Sequence, residues 1–165
     1  MGVDEPVHLV DYDALWPTLF REEAKRLAEA LPDAAIEHIG STAVPGMVAK
    51  PIVDIMVGAP EAAREVIAGL GYEDLGEAGV VGRIYHRRRG SGQAYNIALV
   101  EREGSLWKAN RAFRDYLRSD DAAAQEYAGV KREAIARGAR TLLAYSAFKS
   151  ELVSRLVRST EGRTQ

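Results

Sequence analysis

The spacing of apolar residues changes near Ser105, and this change constrains the possible folds more than any other feature of the sequence. Before that point, short apolar runs bounded by Gly and Pro predict strands, with segments of helical spacing between them. After it, apolar residues recur every three or four positions, which is typical of amphipathic helices. We therefore expect one α+β domain over residues 1–165, with an α/β half at about 7–103 and a helical half at about 104–160.

The first half is expected to alternate between helices and the strands of a mixed sheet. The predicted elements are, in order, a helix from Asp13 or Leu15 to Ala30, strands at Ala35–Ile39 and Ile52–Val57, a helix at Pro60–Leu70, and strands at Val80–Arg88 and Ala94–Glu101. The second half shows helical spacing over Leu106–Arg118, Ala122–Arg137 and Thr141–Val157. Asp120 or Asp121 is a suitable N-cap for the middle helix, because an aspartate side chain can accept from a free backbone N–H.

The composition narrows the classes of function. With 47% hydrophobic and 28% charged residues, the chain is too apolar for a disordered segment. A formal charge of −2 gives no general attraction to nucleic acid or acidic membranes, so neither is an expected partner, and the oligomeric state is left undefined. The absence of cysteine excludes disulfides and thiolate catalysis. No signal-peptide core and no run of 18 apolar residues occur, so a cytoplasmic location is expected.

The stretch EHIGSTAVPGMVAKPIVDIMV, residues 37–57, joins the end of one predicted strand to a buried strand. Backbone N–H groups at Gly40 and Ser41 can cradle a phosphate, and the serine hydroxyl adds a donor. Asp54 on the next strand then stands where a divalent metal could bridge it to that phosphate. The position that would carry a second acid on the same face is Met56. Spacing alone leaves open whether this is a ligand site or an ordinary loop and strand.

The same stretch closely resembles the signature of the GrpB-like family, a bacterial group of the nucleotidyltransferase superfamily. The resemblance continues through VDYDALWPTLFREE, YNIALVEREGSLW, FRDYLRS, EYAGVKRE and YSAFKSELV, so it covers nearly the whole chain. It implies the polymerase-β-like nucleotidyltransferase fold, in which a small mixed sheet is flanked by helices. In that superfamily Gly-Ser is followed by two acids on one strand and a third on a later strand, and these hold two Mg²⁺ ions.

Mapped onto this chain, the resemblance is incomplete. Gly40 and Ser41 match the phosphate loop, Thr42 continues it, and Asp54 matches the first acid and metal ligand. Met56 does not match the second acid, although GrpB-like sequences often vary there. The family segment similar to YNIALVE often carries histidine where this chain has Asn96 and Ala98. Asn96 can still donate and accept hydrogen bonds at a ligand site.

Three further residues near the motif each have two interpretations. His38 can orient the loop or transfer protons, or it can be a half-buried strand histidine bonded to backbone. Lys50 can bind a phosphate as a point charge or be an ordinary loop lysine. Glu101 can supply a second metal ligand or be a solvated acid paired with Arg102.

The arginines around HRRR, residues 86–89, could form an anion-binding rim. Strand alternation places Arg87 and Arg89 on one face and Arg88 on the other, so they cannot all contact one ligand. Arg83 and Arg88 are the predicted ligand contacts. The alternative is a solvated run of charge, which is the usual role of such clusters.

Three residues of the helical half lie in segments that match the family. Tyr145 and Lys149 are four residues apart and therefore share a helix face. With Lys131 they could point into the cleft toward a phosphate or a carboxylate. Otherwise Tyr145 is a packing residue and the two lysines cover the surface.

The resemblance implies two functions between which the residues do not decide. In the first, an enzyme of nucleotidyltransferase ancestry binds ATP or another nucleotide with Mg²⁺ and transfers a nucleotidyl group to a small-molecule acceptor. Asp54, His38 and Glu101 are its catalytic candidates. In the second, the chain is a non-catalytic ligand-binding or accessory domain with a degenerate metal site, because GrpB-like domains also occur fused to dephospho-coenzyme A kinase. The expected partner in both is a nucleotide or another small molecule.

Overall fold

The computed structural model describes residues 3–90, 92–147, 150 and 154 and confirms the α+β class. Within these residues a single mixed sheet has the strand order β1-β2-β5-β4-β3. The strands are β1 (Ala35–Ile39), β2 (Ile52–Gly58), β3 (Glu73–Asp74), β4 (Ile84–Arg88) and β5 (Ala94–Val100). The helices are α1 (Trp16–Ala30), α2 (Ala63–Gly69), α3 (Ser105–Ser119) and α4 (Asp121–Ala136), and a 3₁₀ turn spans Ser41–Ala43. No helix in this described part of the chain is both long and apolar enough to cross a membrane.

Strand β2 lies second in the sheet order and forms the parallel pair that makes the sheet mixed. It pairs antiparallel with β1 and parallel with β5, while β5 pairs antiparallel with β4. A parallel pair cannot be joined by a tight turn, so the chain passes through α2, β3 and β4 between β2 and β5. The register sets Asp54 of β2 beside Asn96 of β5.

One face of the sheet is covered by α1 and α2. Ile55 and Ile97 from the sheet, Leu27 from α1 and Ile67 from α2 are each fully buried in the same cluster. Burial of each such side chain stabilises the fold by roughly 1.5–3 kcal/mol relative to exposure. This face is the main hydrophobic core.

The opposite face is covered over only half its length. Trp107 of α3 packs on Ile39, Met56 and Val100 and buries that half. Helix α4 packs on α3 and on the loop before β2, where Leu117, Tyr127 and Val44 share a cluster. The other half of the face carries Asp54 and Asn96, which line a cavity.

Residues 3–10, here called the N-terminal segment, run past that cavity, and Val3 lines it. Val10 pairs with Ala49 and Pro6 with Thr141 through isolated bridges. The backbone N–H of Leu142 donates to the carbonyl of Glu5 at 2.7 Å. The segment therefore joins the sheet to residues 139–145.

Most predicted elements are confirmed, with three corrections. Strand β4 begins at Ile84 rather than Val80, because the residues before it turn through Gly79 and Gly82 at positive φ. Helix α2 begins at Ala63 rather than Pro60, and the two-residue strand β3 was not predicted. Asp120 caps α4 by accepting from the N–H of Ala123 at 3.0 Å. Of the predicted last helix, residues 142–147 are helical, and most of the remainder lies outside the described residues.

Candidate functional site

Asp54 and Asn96 form the floor of the candidate site. They are register partners on adjacent parallel strands, so their side chains leave the same face of the sheet. The amide Nδ2 of Asn96 donates to Oδ1 of Asp54 at 2.9 Å. One carboxylate oxygen of Asp54 is therefore already bonded.

Gly40 lies against the second oxygen of Asp54. Its φ is +74°, and a Cβ built there would stand 2.8 Å from Oδ2 of Asp54. Both the backbone conformation and the close approach require glycine at this position. The loop after β1 is thus fitted closely over the carboxylate.

Arg89 and Tyr85 determine how the amide of Asn96 is oriented. Both donate to its Oδ1 at 2.9 Å, which turns Nδ2 toward Asp54. Arg89 also donates to both carboxylate oxygens of Glu5, at 2.6 and 3.0 Å. Burial alone would raise the pKa of Glu5, but the hydrogen bond and charge of Arg89 outweigh it and lower that pKa. A polar chain therefore runs from the N-terminal segment to Asp54.

Lys131 brings a buried positive charge from α4 to the loop after β1. Its side chain is 1% exposed, and Nζ donates to Oγ of Ser41 at 2.5 Å and to the carbonyl of Val48 at 2.6 Å. These contacts line a cavity of about 90 Å³ whose other walls include Gly40, Thr42 and Asp54. This volume is about that of three water molecules, which is the scale of one phosphate group.

Lys50 and Tyr145 complete the wall of this smaller cavity. The Nζ of Lys50 lies 5.8 Å from the ring centroid of Tyr145. Tyr145 is fully buried, and burial raises the pKa of its hydroxyl. The structure thus brings Ser41, Lys50, Lys131 and Tyr145 together around one cavity, and their role in ligand binding stays a prediction.

A larger cavity of about 460 Å³ adjoins the smaller one, and Lys50 and Asp54 line both. Its polar lining also includes Arg83, Tyr85, Asn96 and Asn110, and Val80, Leu106 and Leu142 are among its apolar residues. The guanidinium of Arg83 lies 5.3 Å from the ring centroid of Tyr85. Burial lowers the pKa of Arg83, against the opposing effects of Tyr85 and Asp54.

His38 lies on the other face of the sheet from Asp54. It is the register partner of Ile55, stacks on Phe20, and shares a hydrogen bond of 2.8 Å between its Nε2 and Oγ1 of Thr42. Burial, then the charges of Arg118 and Arg114, lower its pKa to about 4. His38 therefore anchors the 3₁₀ turn as a neutral imidazole, bonded to a hydroxyl rather than to the expected backbone group.

Two predicted site residues are not brought to Asp54. Arg88, predicted as a ligand contact, instead points to the α1 face and donates to Glu23 at 2.9 Å. Glu101 is exposed beyond the far end of β5, roughly 17 Å along the strand from Asn96 at 3.3 Å per residue. Neither residue lines the two cavities, and Lys149 lies outside the described residues.

The described residues contain no group of three or more His, Asp or Glu side chains that could hold a metal ion. Met56, at the position of the missing second acid, is fully buried against Trp107. The carboxylate available at the floor of the site is Asp54. It could share a metal only with ligand oxygens and water.

Sequence reasoning missed Glu5 and Tyr85. Tyr85 could have been found from alternation, which puts it on the face of Arg87 and therefore of Asn96. Glu5 gave no signal, because its partner Arg89 is 84 residues away in the sequence. Glu5 also precedes the predicted start of the α/β half at about residue 7, yet it is held by Arg89.

Comparison with known families and curated proteins gives consistent matches. The family described as GrpB protein matches residues 6–159. UPF0157 protein BH1888 of Halalkalibacterium halodurans is 34% identical over 161 residues, which cover 92% of this chain and 81% of that protein. UPF0157 protein YqkA of Bacillus subtilis is 32% identical over 154 residues, which cover 89% of this chain and 45% of that protein. The chain thus spans less than half the length of YqkA.

Solved structures give a similar result. The crystal structure of the conserved protein GrpB from Enterococcus faecalis has a TM-score of 0.78 at 28% identity, covering 93% of this chain and 99% of that one. A weaker match, with a TM-score of 0.47 at 19% identity, is terminal uridylyl transferase 4 from Trypanosoma brucei with bound UTP, over 95% of this chain and 53% of the other. A similarity this weak gives no information on the activity of this chain.

Proposed function

The chain belongs to the GrpB family, and on that premise we propose that its pocket binds a nucleotide or another phosphorylated small molecule. The observation that carries the proposal is the buried lysine of α4, whose Nζ meets the hydroxyl of Ser41 in a phosphate-sized cavity. Burying an ammonium group is costly, so a fold that keeps one beside an open cavity has a use for its charge. An anionic group of a ligand would be attracted to that charge.

The terminal phosphate of the ligand would occupy the smaller cavity. Ser41 and Lys131 would donate to its oxygens, and Lys50 would add a second positive charge at the junction of the two cavities. The remainder of the ligand would extend into the larger cavity, which has both polar and apolar walls. That mixture is typical of small-molecule sites.

A Mg²⁺ ion fits this arrangement only as part of a ligand complex. Asp54 would contribute one carboxylate oxygen, since Asn96 already bonds the other, and phosphate oxygens and water would supply the remaining ligands. Such an ion would neutralise phosphate charge and strengthen binding. The expected dependence on Mg²⁺ is therefore a property of the nucleotide complex.

Nucleotidyl transfer is a second candidate, supported by the position of Asp54 between the two cavities. A phosphate in one cavity and an acceptor hydroxyl in the other would both approach this carboxylate. Against transfer by two metal ions stands Met56, which is buried where the second acid would be. A binding or accessory role is therefore the function that the geometry supports best.

Thermal unfolding in the presence of ligands tests the binding proposal. The protein would be melted with inorganic phosphate, pyrophosphate and a panel of nucleotides and coenzyme A precursors, each with and without Mg²⁺. A ligand at 100 times its Kd stabilises the native state by about 2.7 kcal/mol, which is a readily measured increase in Tm. Lys131→Met and Ser41→Ala should lose the increase, and Lys108→Met, which removes an exposed lysine, should keep it. No increase with any phosphorylated compound would refute the proposal.

Asp54→Asn separates binding from transfer. The variant keeps an oxygen that can accept from Asn96 but loses the negative charge. If the site transfers nucleotidyl groups, wild type should release pyrophosphate from a bound triphosphate when an acceptor is supplied, and the variant should not. If the site only binds, neither protein releases pyrophosphate, and the variant loses only the part of the Tm increase that depends on Mg²⁺.

A further inference from the structure

Arg83 is the one arginine of the β4 region that the structure leaves without a carboxylate partner among the described residues. Arg87, Arg88 and Arg89 each form an ion pair. Arg83 donates from Nη2 to two backbone carbonyls at 3.2 Å, and its Nε is buried without a hydrogen-bond partner. The guanidinium therefore lines the larger cavity with its charge balanced by no contacting acid.

The surroundings of Arg83 hold its guanidinium in place. The two carbonyls belong to Glu77 and Ala78, in the turn before β4, and the ring of Tyr85 lies on one side. A planar guanidinium held in this way is suited to carboxylate or phosphate oxygens, because its N–H donors form a rigid fork. The two carbonyl contacts occupy Nη2, which leaves Nη1 to donate to an acidic group in the adjoining cavity.

Asp54 divides the positive charge of the site into two groups. Lys131 lies at the smaller cavity, Arg83 lies at the larger one, and Asp54 lines both. Lys50 lines both cavities as well, so its charge offsets that of Asp54 and the junction gives an anionic centre no net attraction. Anionic groups would be favoured at the two ends instead.

Building on the proposed phosphate subsite, we infer that the ligand carries two acidic groups, one held by Ser41 and Lys131 and the second held by Arg83. The substrate class is then a phosphorylated compound with a carboxylate or a second phosphate at its other end. A nucleoside monophosphate, which has one acidic group, would leave Arg83 unused.

A series of small phosphonates tests this inference with known probes. Calorimetric titration would compare ω-phosphonocarboxylates of increasing chain length with alkyl phosphonates of the same length, and with inorganic phosphate. At the length that spans the site, the second acid should increase affinity about 10- to 100-fold, the range expected for a hydrogen bond to a charged group. Bisphosphonates of the same lengths would show whether a carboxylate or a phosphate is preferred at Arg83.

Variants assign the increase to Arg83. Arg83→Met should remove the gain in affinity that the second acid gives and should leave the affinity for inorganic phosphate unchanged. Arg83→Lys should retain part of that gain. Arg102→Met is the matched control, because Arg102 is exposed and lines a groove at the far end of β5. That variant should bind every probe as wild type does.

The outcomes separate this inference from the proposed function. If phosphate binds but no chain length improves on the alkyl phosphonates, the second acidic group is refuted and the phosphate subsite stands. An increase that survives in Arg83→Met would also refute the assignment. If neither phosphate nor any diacid binds, the inference is refuted, and the thermal unfolding panel decides the proposed function by itself. Binding of a diacid that depends on Arg83, even without measurable binding of phosphate, supports the inference.

Discussion

Gly40 shows at the scale of one residue how the backbone limits the site. Gly40→Ala would strain a positive φ and also place a Cβ 2.8 Å from Oδ2 of Asp54. Gly46 has a similar φ of +80°, but a Cβ at that position would meet no atom within 4 Å, so Gly46→Ala isolates the backbone strain of about 1–2 kcal/mol. We expect Gly40→Ala to lower the free energy of unfolding by at least about 1 kcal/mol more than the control.

Urea denaturation of both glycine variants measures this difference. Equal losses would mean that the loop can move away from Asp54 at no cost. The close approach would then not be a requirement of the site.

Arg89 acts on Asp54 through Asn96 and is a positioning residue. Arg89→Met would leave the side-chain amide of Asn96 with Tyr85 as its remaining donor and free it to rotate. We expect the Asn96 side-chain N–H signals to lose protection from hydrogen exchange, as measured by NMR. Arg64→Met removes an ion pair with Asp74 elsewhere in the fold and should leave those signals unchanged. Unchanged protection in Arg89→Met would contradict a positioning role.

At the scale of elements, β2 and α3 together exclude the second acid of the superfamily pattern. Met56→Asp would place a carboxylate beneath Trp107 among Ile39 and Val100. We expect it to lower the free energy of unfolding by about 3–5 kcal/mol and to create no metal site, because an unpaired buried charge is costly. Met56→Leu should cost less than about 1.5 kcal/mol. Denaturation and a Mn²⁺ titration followed by electron paramagnetic resonance would test both variants, and tight Mn²⁺ binding by Met56→Asp would contradict the expectation.

The strands also show how much of the fold could be predicted from the sequence. Strands β1, β2 and β5 have apolar runs with clear ends, and their predicted limits agree with the structure within one residue. Strand β3 has two residues and no periodicity, so it was not predictable. The start of β4 was not predictable either, because the turn before it continues the apolar character of the strand.

For the candidate site, local signals located Gly40, Ser41 and Asp54 because these residues lie in one motif. Glu101 was misplaced relative to Asp54, because spacing along one strand does not show which end of it the cavity lies at. The contact of Glu5 with Arg89 depends on the tertiary path of the N-terminal segment. Local sequence carries no information on that path.

At the scale of the whole molecule, buried histidines tie stability to pH. The folded pKa of His38, about 4, lies below the ordinary value of 6.5, so the unfolded chain binds protons more readily. The contribution of His38 to the free energy of unfolding is fully present above pH 6.5 and is lost as pH falls toward 4. Burial also lowers the pKa of His86, which adds to the same trend. Between pH 8 and pH 5, we expect His38 to account for a loss of about 2 kcal/mol.

His38→Gln checks this assignment. Its free energy of unfolding should fall less than that of wild type between pH 8 and pH 5, while His8→Gln, which removes an exposed histidine, should follow wild type. Glu5, Glu23 and Asp74 have lowered pKa values. Their contributions to stability are therefore lost only below about pH 4.5, outside the range between pH 8 and pH 5. Identical slopes for wild type and His38→Gln would contradict the assignment.

The contact between Lys131 and Ser41 joins residues 90 apart in the sequence, and that between Arg89 and Glu5 joins residues 84 apart. Contacts of such separation close long loops and tend to form after local structure in folding. During synthesis the loop after β1 therefore emerges long before the helix that supplies its lysine. The pocket becomes complete only after α4 and the residues up to Tyr145 have docked, so a bound ligand would report that these long-range contacts have formed.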